Sequence, residues 1–337
     1  MAEAPSIAAK VAEALSEVAS TAPGDLTPEL AGVVKSGSQM LAGLCDAGAA
    51  AAALATAPPL LSLVATPAPR AAKAAPPVVV DAGEAAAAEA PAEAPPQPVA
   101  AWREADLTED RTAVLTSACA GLSALASHAP GRLALRKHGA VAALLALVQP
   151  PTGGQPALQA QATLALSHLA ESPMCRASLN EPAVRPSLLA LLAILQSRAA
   201  PTDALALRLR AKVLLLLGFC LYDGKLLPQL LGASLVEHAL ALLEPTAAVE
   251  LDPEAEPPEP PSGEALQCAA ELKSNAATVV AIAGQSAAGR EAIVAAGGLT
   301  TLVKALSPPA AGADGEPPPP AATDQAAAAL MANVTLA

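Results

Sequence analysis

The chain has almost no aromatic residues. Its 337 residues include one Trp, one Tyr and one Phe. A core must therefore come from Leu, Val, Ile and Ala, and alanine lets helices approach one another closely. Basic residues are also few, 19 against 31 acidic ones, for a formal net charge of -12. That balance argues against binding nucleic acid or an anionic membrane through bulk electrostatics. Cysteine is sparse: Cys45, Cys119, Cys175, Cys220 and Cys268 are odd in number and far apart. They read as reduced, buried thiols in a reducing compartment.

Catalytic and targeting signals are missing as well. No glycine-rich phosphate loop ends in Lys-Ser or Lys-Thr, no C-x-x-C occurs, and the four histidines never fall at metal-ligand spacing. Acidic pairs such as Glu254 and Glu256 lie in a proline-rich stretch with no rigid frame for acid–base work. No enzyme, cofactor or metal site is expected. Glu3, Glu13 and Glu17 near the start suit neither a secretory signal nor an organelle presequence. The uncharged span from Ala47 to Pro69 is mostly alanine and holds Pro58-Pro59, so no membrane crossing is expected there.

What is abundant is alanine, roughly a quarter of the chain, together with 34 prolines. Alanine is the best helix former and proline the worst, so the chain should be helices punctuated by sharp breaks. Residues 1–57 read as an N-terminal helical segment, with Ser6 as a first N-cap and Ile7, Val11, Leu15 and Val18 on one side. Residues 58–104 read as an Ala/Pro/Glu-rich linker. Residues 105–337 read as a repeat domain with proline-rich insertions near 245–263 and 308–322.

Within that domain four stretches align: "GAVAALLALV" from Gly139, "AVRPSLLALL" from Ala183, "SLVEHALALL" from Ser234 and "GGLTTLVKAL" from Gly297. Bulky residues recur at i, i+3, i+4 and i+7, which is one helix face. The second copy has Arg185 where the first has Val141, so its first turn should be exposed. Arg132, Arg176 and Arg290 each stand at the same offset before three of the four stretches; the third copy has Leu227 there. A longer helical pattern precedes each, and a fifth, "DQAAAALMANVTLA", follows at 324–337. The expected unit is a long helix, a short helix, a tight turn and a medium helix. The fifth long helix has no polar capping helix after it, so either it frays or another chain covers it.

The stretches "RLALRKHGAVAALLALV", "AQATLALSHLAES", "REAIVAAGGLTTLVKAL" and "AAAALMANVTLA" resemble armadillo repeats, three-helix units of about 42–47 residues, over roughly residues 107–337. The resemblance implies an all-α fold, a right-handed α-solenoid of about four and a half repeats with disordered Ala/Pro-rich loops. It also implies third helices lining a concave surface that binds an extended peptide or a partner protein. Peptide-binding members of the nuclear-import type carry an Asn, with a Trp one turn earlier, on successive third helices. At the Asn position this chain has Ala124, His168, Cys220, Ala281 and Asn333, and at the Trp position Ala120, Leu164, Leu216, Ala277 and Ala329. A nuclear-import groove is therefore not expected.

The candidate protein-binding surface comprises His168, Cys220 and Asn333 from the groove positions, and Arg132, Arg136 and Lys137 from a basic cluster that also holds His138. Arg208, Arg210 and Lys212 form a second basic group; both groups could meet an acidic partner or simply face water. Phe219 and Tyr222, two of the three aromatics, are expected to fill the centre of the domain. The expected function is a noncatalytic protein-binding scaffold or adaptor in the cytoplasm, a structural subunit of a multi-protein assembly. By analogy with the family, a cytoskeletal setting such as the ciliary or flagellar axoneme is included. The alternative is a peptide- or cargo-binding adaptor in transport or signalling.

Overall fold

The computed structural model describes residues 4–21, 27–65, 107–149, 155–196, 203–244 and 262–306, and these are helical with connecting turns. The N-terminal part comprises α1 (Ala4–Ser20), α2 (Pro28–Asp46), α3 (Ala50–Ala53), a 3-10 turn (Leu54–Thr56) and α4 (Ala57–Val64). Ser6 lies inside α1 and does not cap it, and Ile7 is exposed while Ala8, Val11, Leu15 and Val18 are buried. The side chain of Thr27 caps α2 by accepting from the Leu30 N–H.

Two expectations about this region are corrected. The linker does not begin at 58, because Pro58-Pro59 open α4. Proline lacks only an N–H that the first helical turn leaves unpaired anyway, so two prolines start a helix as readily as they end one. Leu60, Leu61, Leu63 and Val64 then bury themselves. The N-terminal helices, which the expected linker would set off as a separate segment, are also not a segment apart. They share one continuous core with the rest, and α2 and α4 pack along the first long helix, α5 (Glu109–Ala126). Ser38 on α2 donates to the Ser117 carbonyl on α5 at 2.6 Å. Residues 66–104 of the expected linker lie outside the described residues.

From α5 onward the expected order of helices recurs. The first unit is α5, α6 (Ala129–Lys137) and α7 (Ala140–Val148). The second is α8 (Pro156–Ala170), α9 (Pro173–Leu179), and a medium helix broken at Leu191 into α10 (Arg185–Ala190) and α11 (Leu192–Gln196). Arg185, half-exposed, starts that broken helix as the sequence suggests. The third unit is α12 (Ala204–Cys220), α13 (Leu227–Gly232) and α14 (Leu235–Leu243). The fourth is α15 (Gly263–Gly284), α16 (Ala287–Ala295) and α17 (Gly298–Leu306). Each long helix packs on the previous one: α8 on α5, α12 on α8, α15 on α12.

Local chemistry sets these boundaries. Thr108, Asp203, Ser262 and Ser286 cap α5, α12, α15 and α16 through side-chain oxygens that accept a backbone N–H. Gly139, Ser234 and Gly297, the first residues of three aligned stretches, are left-handed, with φ of 74°, 63° and 70°. In these three units the reversal between short and medium helix uses that conformation, which only glycine adopts without strain; the second unit turns through residues 180–184 with no positive φ.

The arginines repeated in the sequence share one task. Arg132 Nη1 donates to the carbonyls of Ala126 and Ser127, each at 3.0 Å. Arg176 Nη1 donates to Ala170 at 2.7 Å and to Glu171 at 3.0 Å. Arg290 Nη1 donates to Gly284 at 3.0 Å. Each folds back from the short helix and satisfies carbonyls left open at the end of the preceding long helix. Close packing helps the return. A Cβ at Gly131 would lie 1.9 Å from the Leu125 carbonyl oxygen, and one at Gly289 2.0 Å from that of Ala283.

Candidate functional site

The long helices α5, α8 and α12 are largely buried and each keeps a partly open stripe at helical spacing; α15 is more open, with Leu266, Lys273 and Ser274 among its exposed residues. On α5 the stripe includes Thr116, Ala120 and Ala124; on α8, Gln161, Leu164 and His168. On α12 it runs through Arg208, Lys212, Leu215 and Phe219, and on α15 through Glu271, Thr278 and Ala281. The stripes of α12 and α15 are tied together by charge. Arg208 reaches Glu264 at 2.7 Å, and Lys212 pairs with Glu271. Between the same helices Asn275 Nδ2 donates to the Ala211 carbonyl at 2.9 Å.

The second basic group is therefore not an open patch. Arg208 and Lys212 are paired across to the next helix, and Arg210 turns the other way, donating to the Leu195 carbonyl at 3.0 Å. Burial lowers the pKa of Arg210, although the group stays charged in the physiological range.

Cys220 does not belong to a binding surface. It is fully buried, and burial pushes its thiol up to about 12. Its neighbour Phe219 occupies the open stripe instead. The helix reads "VLLLLGFCLY", apolar on every side, so hydrophobic spacing could not choose between two adjacent residues as the outward one. Cys119 is likewise fully buried, and its thiol is raised by burial. All five cysteines are free and buried.

His168 does sit on the α8 stripe, half-exposed, with Nδ1 3.1 Å from Glu171 Oε1. The basic cluster divides. Arg132 is spent on helix-end carbonyls and on Glu171 Oε2 at 2.9 Å. Arg136 Nε donates to Ser178 Oγ on α9 at 3.4 Å, while Lys137 and His138 are exposed. His168, Arg132 and Glu171 thus form one group, and Arg136 lies next to it across the α6–α9 contact. Asn333 and the fifth helical pattern lie outside the described residues, as do the insertions at 245–261 and 308–322.

Sequence reasoning missed Glu171, Asn275 and the placement of Tyr222. Tyr222 does not fill the centre; it is 48% exposed, with the Arg176 guanidinium 5.6 Å from its ring centroid. Its position just past the end of α12, before the Asp-Gly of the turn, was the available signal. Among the described residues, no helix is long and apolar enough to cross a membrane.

No family model matches the chain, and no curated protein matches it. A crystal structure described as an engineered protein is similar over 97% of this chain and 97% of its own, with a TM-score of 0.52 and 17% identity. At that identity the likeness is one of fold alone: an all-α protein of packed helices.

Proposed function

We propose that the four helical units form a right-handed α-solenoid of armadillo-like repeats, and that the protein is a noncatalytic protein-binding scaffold. The observation that carries this reading is the succession of partly open stripes on consecutive long helices, the last two of which, on α12 and α15, are tied together by Arg208–Glu264, Lys212–Glu271 and Asn275–Ala211. Side chains fixed by their neighbours suit recognition, because less rotamer freedom is lost on binding. Leu164, Leu215 and Phe219 offer an apolar centre and His168 a polar contact, the mixture that protein interfaces use.

The partner we propose is a protein within a multi-subunit assembly in the cytoplasm, and a cytoskeletal assembly such as the axoneme is the setting to test first. Affinity purification with cross-linking mass spectrometry tests this. Cross-links from Lys273 or Lys304 should reach one partner recovered in fixed stoichiometry, and Phe219→Asp should reduce that recovery at least about tenfold, as loss of a buried hot spot does. Recovery without fixed stoichiometry, or unchanged by Phe219→Asp in a folded variant, would overturn the reading.

A further inference from the structure

The described surface holds a cluster of cations that the proposed scaffold role does not use. Arg132 and Arg136 on α6 and Arg176 on α9 gather around the contact between these two short helices. Arg132 has one carboxylate partner, Glu171. Arg176 is turned to backbone carbonyls and to the face of Tyr222. Arg136 has no carboxylate partner among the described residues; its Nε–H donates to the hydroxyl of Ser178.

That hydroxyl has three relevant properties. It is half-exposed, in the last turn of the seven-residue α9. The bond it receives is long, 3.4 Å, so the guanidinium stands beside Oγ and holds it only weakly. The local sequence is Arg176-Ala177-Ser178-Leu179, a serine two residues after an arginine. A chain of net charge -12 thus presents a poorly neutralised guanidinium to a serine in a basic sequence context.

We propose that Ser178 is a phosphorylation site whose phosphate is received by Arg136 across the α6–α9 contact. A serine kinase that selects basic sequences would transfer the γ-phosphoryl group of ATP to Ser178 Oγ. The Oγ–P bond forms, the bond from the γ-phosphorus to the β,γ-bridging oxygen breaks, ADP leaves, and the hydroxyl proton passes to the kinase's general base. The product carries two negative charges above its second pKa of about 6 and three acceptor oxygens beside a planar donor. Phosphate at the end of a helix opposes the helix dipole, so the cation supplied by α6 decides the sign of the effect. With Arg136 present the modification would fasten the first unit to the second.

The test uses the full chain, a purified basophilic serine kinase and ATP. Mass spectrometry should place one phosphate on Ser178, absent from Ser178→Ala. In the phosphorylated protein, 31P titration should give a second ionisation clearly below the ordinary value of about 6, returning to it in phosphorylated Arg136→Gln. A phosphate that never forms on Ser178, or one that titrates alike with and without Arg136, would overturn the proposal. Arg136→Gln removes no buried ion pair, and its unmodified melting curve serves as the check on folding.

Discussion

Arg132 and Glu171 meet at 2.9 Å, and the same guanidinium nitrogen holds the carbonyls of Ala126 and Ser127. One side chain therefore closes the end of its own unit's long helix and touches the end of the next.

The carbonyls matter more than the ion pair. Arg132 is 18% exposed at its side chain but Glu171 is 36% exposed, so solvent screens their attraction. The two charge-assisted bonds instead pair carbonyls that the helix end leaves open, the one to Ala126 in a part-buried setting. Arg132→Ala should destabilise by about 1–3 kcal/mol in urea unfolding, and Glu171→Gln by about 0.5 kcal/mol or less. Equal losses would show that the ion pair, and not the helix end, is what Arg132 serves.

Gly131 and Gly289 are required for space. A methyl group at either would strike backbone, which cannot swing aside. Gly131→Ala and Gly289→Ala should each cost about 2 kcal/mol or more by the same measurement. Gly43, inside α2, has nothing within 4 Å of its would-be Cβ. Gly43→Ala should therefore stabilise, by about 0.5–1 kcal/mol, through the lost entropy of the unfolded chain.

Ser234 is the one described residue other than glycine with positive φ, at 63°. It holds the position that Gly139 and Gly297 fill in the first and fourth units. Ser234→Gly should raise stability by about 0.5–1 kcal/mol, and Gly139→Ala should lower it by about 1 kcal/mol. Thermal unfolding of both variants checks the pair, and a Ser234→Gly protein that melts earlier would refute the strain.

Cys220 makes stability fall in alkali. Burial raises its folded-state thiol pKa to about 12, while an unfolded thiol titrates near 8.5. Below the unfolded value both states keep the proton and stability is full. Between about 8.5 and 12 the unfolded chain releases its proton and the folded one does not, so stability drops by roughly 1.4 kcal/mol per pH unit from this thiol. Cys220→Ala should start lower, through the lost packing, and decline less steeply over that window. Parallel declines in the two proteins would contradict the burial.

Helix order was legible in the sequence because several registers agreed. The aligned stretches begin where the structure turns from short to medium helix, and the arginines before three of them fall on the short helices. Where only one signal was present it misled. Pro58-Pro59 looks the same whether it begins a linker or begins a helix, and the apolar residues after it decided the matter by burying themselves. Cys220 and Phe219 differ by one residue, and an all-apolar helix gives no phase to tell them apart. Pairs such as Lys212–Glu271 and Arg132–Glu171 join residues distant in sequence, so their partners appear only when the helices are brought together.

The scarcity of aromatic residues gives the protein an optical simplicity. Its one tyrosine, Tyr222, lies against Arg176 where the second unit meets the third, and the one tryptophan, Trp102, lies outside the described residues. Tyrosine emission is therefore a reporter with a single address. A change in it on binding or modification reads the state of that one junction without an added probe.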